Sequence, residues 1–211
     1  MQLSPNILPL WQSSPANKPA GLLRRTPRKR LSLQAQAELI AVIKDSAVQD
    51  TLVIAVRAEE LLGEKTLADH HIFLHGNHRL SLCTDSTVIL CGTARLYLEV
   101  QGEAQVTLKA SGEANFHLEA SQHARVSVLP AEHTEGIVET WDTAQIIVDL
   151  SGEARATVDT FNEARAVITA HDCTWCDVNA VDNAQVMACL SPDCRFTGEK
   201  TGNAQIIAIV Q

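Results

Sequence analysis

Aromatic side chains are scarce here: Trp, Tyr and Phe together make 4% of the 211 residues, with one Tyr among them. A core built on large rings is therefore excluded, and the interior has to be thin, made of Val, Ile, Leu and Ala. Runs of 18 apolar residues are absent, as is a leader with a charged start and an apolar middle. The expectation is a soluble cytoplasmic protein, or a virion component if the source is a phage. The six cysteines (83, 91, 173, 176, 189 and 194) then fit a reducing compartment as free thiols. Nucleophile elbows, phosphate-cradling glycine loops and Ser/His/Asp sets are missing too. Carboxylates are plentiful, but any two can be matched on paper, so a carbohydrate-active β-helix enzyme gains no support. Neither an enzyme nor a cofactor is expected.

Charge of one sign is missing locally. Residues 1–40 hold six Lys/Arg against one acid, whereas residues 91–211 hold seven against seventeen, within a net −8. Five of the seven prolines fall in residues 1–31, together with "RRTPRKR", which supplies Arg24, Arg25, Arg28, Lys29 and Arg30. Composition marks 1–31 as a basic, Pro-containing tail. Direct nucleic-acid binding is conceivable only through that arm, whose other natural target is an acidic protein surface.

What is abundant is one ten-residue phrase. Ala94, Ala104, Ala114, Ala124, Ala144, Ala154, Ala164, Ala184 and Ala204 share a register of ten, interrupted only by Thr134, Thr174 and Cys194. Twelve decamers run from Gly92 to Gln211 without insertion or deletion. Numbered from the turn residue, positions five and seven are mainly aliphatic, while four, six and eight are mostly polar. This alternation is a β-strand with one face buried, closed by a Gly-, Asn- or Asp-containing turn. Units of this kind, stacked, make a solenoid.

Parity sets the coil. The fifth position reads Val106, Val126, Ile146, Ala166, Val186 and Ile206 in one set of alternate units, against Leu96, Phe116, Gly136, Ala156, Cys176 and Phe196 in the other. Two environments alternating every twenty residues predict a mainly β, two-sided β-solenoid of about six 20-residue coils. Its predicted extent is 76–211, with the regular decamers at 92–211. The pattern resembles the short Gly/Asp-x-Ala-x-Val repeats of bacterial and prophage β-solenoid proteins. The architecture is similar to the bactofilins, polymer-forming β-helical proteins with a basic tail. An Ala/Leu-rich segment before the solenoid departs from them. Periods of five or six, which mark pentapeptide-repeat proteins and hexapeptide acyltransferases, do not fit.

Residues 32–75 read as a helical or mixed capping segment laid over the first coil. "LQAQAELIAVIKDSAV" has helical spacing, and "TLVIAVRAEELLG" is ambiguous between strand and helix. At the other end, Ile206, Ala208 and Val210 close the core of the last decamer, which is expected to meet another subunit.

Three groups of residues carry the functional expectations. On one sheet the eighth position reads Glu99, Glu119, Glu139, Asp159, Asn179, Glu199: an acidic ladder that either solubilises the face or docks a basic partner. On the other sheet Ile147, Val167, Met187 and Ile207, with Ile209 beside them, form an outward aliphatic stripe that reads as an oligomer interface. "HDCTWC" offers His171, Cys173 and Cys176, with Cys194 one coil on. Those are the only zinc candidates the spacing suggests, but Cys176 and Cys194 occupy inward positions where a thiol simply fills space, so no metal is expected. The reading is a non-enzymatic, self-associating scaffold or structural protein that presents an acidic face to a partner. The alternative is a phage- or mobile-element-encoded inhibitor that binds a basic, nucleic-acid-binding protein through the ladder.

Overall fold

A computed structural model describes residues 31–211. The basic arm Arg24, Arg25, Arg28, Lys29 and Arg30 lies outside the described residues.

Among the described residues three helices come first: α1 (Leu33–Asp45), α2 (Val48–Leu62) and α3 (Glu64–Ala68). Ser32 caps α1 by accepting a hydrogen bond from the Ala35 amide at 3.2 Å. α2 ends at Gly63, whose φ of 87° lies in the left-handed region. The stretch ambiguous between strand and helix is thus helical. Its apolar residues Ile54, Ala55 and Ala58 fall on one face and pack with Leu39, Ile40 and Ile43 of α1.

Fifteen strands follow, in two parallel sheets. One holds β1 (Ile72–Phe73), β3 (Ser86–Leu90), β5 (Gln105–Ala110), β7 (Arg125–Pro130), β9 (Gln145–Leu150), β11 (Arg165–Ala170), β13 (Gln185–Leu190) and β15 (Gln205–Val210). The other holds β2 (Asn77–Leu82), β4 (Arg95–Val100), β6 (Asn115–Ala120), β8 (Glu135–Thr140), β10 (Arg155–Thr160), β12 (Trp175–Ala180) and β14 (Arg195–Lys200). Odd and even strands never mix, so residues twenty apart stack: Arg125 pairs with Gln145, and Glu135 with Arg155. The chain is a two-sided β-solenoid of about seven turns. It gains a turn over the regular decamers because β2 already pairs in parallel with β4, and β3 with β5. There the repeat has not settled: Ile72 pairs with Ile89 and Asn77 with Arg95, whereas Ser86 pairs with Val106.

The interior follows the alternation. Ala94, Ala114, Leu98, Leu118, Val138 and Val148, among many others, are fully shielded from solvent. Thr134 and Thr174 replace Ala without leaving the core. Phe116 and Gly136 are complementary neighbours on β6 and β8: a Cβ at Gly136 would sit 2.1 Å from the Phe116 ring. The ring occupies the space that a side chain at 136 would take.

Every decamer except the one beginning at Pro192 opens with a residue in the left-handed region. Glycine holds that place at 92, 102, 112, 152 and 202, and Gln122, Glu132, Asp142, Asn162, Asp172 and Asp182 hold it elsewhere. A Cβ at Gly112 would come within 3.0–3.2 Å of the Gly92 backbone, so the close stacking of these two turns favours glycine. Several side chains in this row also bind the turn one coil back. The amides of Gly102, Gln122 and Gly152 donate to Gln122 Oε1, Asp142 Oδ2 and Asp172 Oδ2 at 2.9, 3.0 and 2.9 Å. Turn residues thus contribute to coil stacking as well as to chain reversal.

The helical segment packs on the first coil. Val88 and Leu90 point into the solenoid, while Ile89 between them packs with the helices. Ile72, paired with Ile89, does the same, so α1 and α2 lie against the outer face of the eight-stranded sheet at its first strands. Ala68 of α3 reaches the solenoid's own core cluster. Lys109, next in the Ile89 column, donates to the carbonyls of Lys44 and Ser46 at 2.6 and 2.7 Å and so closes the C-terminal end of α1. Burial holds the Lys109 ammonium below its ordinary pKa. In the last coil, β14 and β15 are the outermost strands of their sheets, and Ala208 and Val210 are exposed.

Candidate functional site

Both outer faces are built from straight columns of side chains, because each strand repeats its register on the next. On the seven-stranded sheet the acidic ladder forms as one column: Glu99 pairs with Glu119, then Glu139, Asp159, Asn179 and Glu199 in turn. The first four acids are half-buried, and three of them accept a side-chain hydrogen bond. Gln101 Nε2 donates to Glu99 at 2.8 Å, the Tyr97 hydroxyl to Glu119 at 2.5 Å, and Asn179 Nδ2 to Asp159 at 2.7 Å. His117 Nε2 lies 3.2 Å from Glu139 Oε1 and 3.7 Å from Glu119 Oε1. The bond to Glu119 raises the Tyr97 phenol above its ordinary pKa. Glu199 is exposed.

Beside the ladder runs a shallow groove of about 680 Å³, lined among others by Tyr97, Asn115, His117, Ile137, Arg155 and Trp175. Trp175 lies between Arg155 and Arg195, whose guanidinium carbons are 5.6 and 5.7 Å from its ring centroid. Its indole N–H donates to Asp177 at 3.0 Å, and the Thr197 hydroxyl donates to the same carboxylate. The arginines Arg95, Arg155 and Arg195 share a separate column, four residues along each strand from the acidic one.

On the eight-stranded sheet, Ile147, Val167, Met187 and Ile207 pair in sequence, with Ile209 on the same strand as Ile207. Ile147, Met187, Ile207 and Ile209 are 53, 44, 55 and 49% exposed, while Val167 is half-buried. The stripe runs into a second groove of about 930 Å³ between the sheet and the helical segment, with Lys44, His70 and His71 on one side and Arg125 and Arg165 on the other. Burial and the Lys44 charge lower the His71 pKa. A further apolar pair stands on a corner, where Trp141 and Phe161 stack with ring centroids 3.9 Å apart.

The zinc candidates do not come together. Cys176 is buried in the core, where desolvation pushes its thiol up to about 12. Cys173 is exposed at a turn. Cys194 Sγ donates to the Ala170 carbonyl at 3.1 Å and touches Thr174 Oγ1, and His171 faces Asp149 at 3.3 Å. Among the described residues, the side chains that bring three potential ligand atoms within 4.8 Å of one another are His117, Glu119 and Glu139. Inspection for motifs misses this group, since no short signature contains it. It is found by combining the twenty-residue period, which sets 119 beside 139, with the strand alternation that puts 117 and 119 on one face.

No helix among the described residues is long and apolar enough to cross a membrane. Comparison with known proteins brings no match: no family model fits the chain, and no curated protein or solved structure resembles it significantly.

Proposed function

We propose that this chain is a non-enzymatic scaffold that associates with a second copy of itself through the aliphatic stripe and presents the carboxylate ladder to a basic partner. The observation that carries the reading is the stripe. Three of its four members are 44–55% exposed, and they stand in one straight column on a flat face. The first strands of that same face already pack against apolar residues, since Ile72 and Ile89 are covered by the chain's own helices. An exposed aliphatic column of this kind is suited to burial against a similar one, at roughly 25 cal/mol per Å² removed from water. The ladder supports the second half of the reading because five of its six positions are acidic and in register, which orients a basic partner more than it adds affinity.

Sedimentation of the full chain tests the association. The wild type should sediment as an oligomer of the 22.9 kDa chain, and Val167→Asp with Met187→Lys should return it to monomer. A monomeric wild type, or an unchanged mass in the double variant, refutes the stripe as an interface. A monomer that captures a basic protein through the ladder would point to the inhibitor reading instead.

A further inference from the structure

We propose that His117, Glu119 and Glu139 form a binding site for a first-row divalent cation on the outer face of the seven-stranded sheet. Strand alternation places His117 and Glu119 of β6 on one face, and the parallel register of β8 sets Glu139 beside Glu119. Their ligand atoms all lie within 4.8 Å of one another, with His117 Nε2 3.2 Å from Glu139 Oε1 and 3.7 Å from Glu119 Oε1. A cation bonded to nitrogen and oxygen at about 2.0–2.2 Å holds neighbouring ligand atoms roughly 3–3.5 Å apart. The three side chains stand near that geometry already, on hydrogen-bonded strands, so little reorganisation is needed.

A second observation points the same way. His117 Nε2 is itself shielded from solvent and makes no hydrogen bond, although two carboxylates face it. A shielded imidazole nitrogen without a partner is costly, and two carboxylates side by side repel. A cation among the three atoms relieves both. The Tyr97 hydroxyl donates to Glu119 and fixes its orientation, as the outer partners of metal-binding carboxylates do. The Tyr97 ring also meets the imidazole edge-on, with centroids 5.2 Å apart. Arg79, over the Tyr97 ring, leaves that hydroxyl to Glu119.

The donor set selects the ion. One imidazole and two carboxylates suit Zn²⁺ or Mn²⁺, whereas Ca²⁺ and Mg²⁺ take oxygen ligands and Cu⁺ prefers sulfur. Three protein ligands leave coordination positions open beside the groove that holds Asn115 and Arg155, where water or an anionic group completes the shell. The rival account is a protonated His117 bridging the two carboxylates with no metal.

Calorimetric titration of ZnCl₂ into the chelator-treated full-length protein, without any partner, decides between them. The result expected is saturable binding of one zinc per chain. His117→Ala and Glu139→Gln should each abolish it, Tyr97→Phe should weaken it about tenfold, and Cys173→Ser should leave it unchanged. Circular dichroism checks that each variant keeps its β signature. Zinc should raise the melting temperature of the wild type and leave His117→Ala unaffected. Co²⁺ in place of zinc should lack a thiolate charge-transfer band. The proposal is overturned by an absence of saturable binding, by stoichiometric binding that survives in His117→Ala and Glu139→Gln, or by a cobalt–thiolate band. Because the readout is metal on isolated protein, its outcome is separate from that of self-association or partner capture.

Discussion

The two sheets are made from the same decamer, yet they differ inside and out. The eight-stranded sheet has an even inner row of Val106, Val126, Ile146, Ala166, Val186 and Ile206, and an outer column that becomes aliphatic from Ile147 onward. The seven-stranded sheet has an uneven inner row in which Phe116 fills the space of Gly136, and an outer face of carboxylates, His117, Tyr97 and arginine–tryptophan stacks. A residue's environment is set by the residue twenty away, because that is the one it stacks on. Each sheet has therefore diversified along its own columns while sharing the turn and the small third position.

The largest way to break the comparison is at Gly136. Gly136→Val forces the Phe116 ring out of its place and should cost about 3 kcal/mol, read by chemical denaturation. Ala166→Val in the even row of the other sheet should cost clearly less. Equal losses at the two positions would mean that the uneven row is not specially fitted.

A smaller effect separates the sheets in alkali. Burial raises Cys176, in the inner row of the seven-stranded sheet, from 9.0 to about 12, and Cys91, beside the helices, to about 11. Well below pH 9 both thiols are protonated whether the chain is folded or not. Above pH 9 the unfolded chain releases protons that the folded one keeps, so stability falls as pH rises from 9 toward the folded values. The loss should be about 1 kcal/mol per thiol at pH 10. Denaturation of Cys176→Ala at pH 8 and pH 10 should show a shallower decline than the wild type. An identical decline would indicate that Cys176 is not held protonated.

The smallest effect on folding belongs to the ladder. Glu119→Gln, Glu139→Gln and Asp159→Asn together should leave stability within about 0.5 kcal/mol, since these groups are half-buried and keep polar partners. The same variant should weaken capture of a basic partner, and more so at low salt, in pull-downs across a salt series. Equal capture at every salt concentration would reduce the column to a solvated face.

Residue types alone determined a great deal. Alternation at period two makes strands, Gly, Asn and Asp mark the left-handed turn, and parity of the fifth position fixes a twenty-residue coil with two sheets. The columns Glu99–Glu199 and Ile147–Ile207 follow from that arithmetic, and both stand as columns in the structure. These features are legible because they depend on local periodicity, repeated often enough to exclude other periods. Only the tertiary structure decided the rest. It adds a turn before the register settles, since Asn77 and Arg95 pair across a shorter repeat. It lays the helices on the outer face through Ile89, which the sequence shows only as one aliphatic among several. It bonds the ladder acids Glu99, Glu119 and Asp159 to Gln101, Tyr97 and Asn179, and sets His117 beside Glu139. It brings His117 to two carboxylates while leaving Cys173 exposed and Cys176 in the core. The physical reason is the same in each case. Periodicity states which side of a strand a residue occupies, but distance, shielding and hydrogen bonding depend on what neighbouring coils and packed helices place beside it.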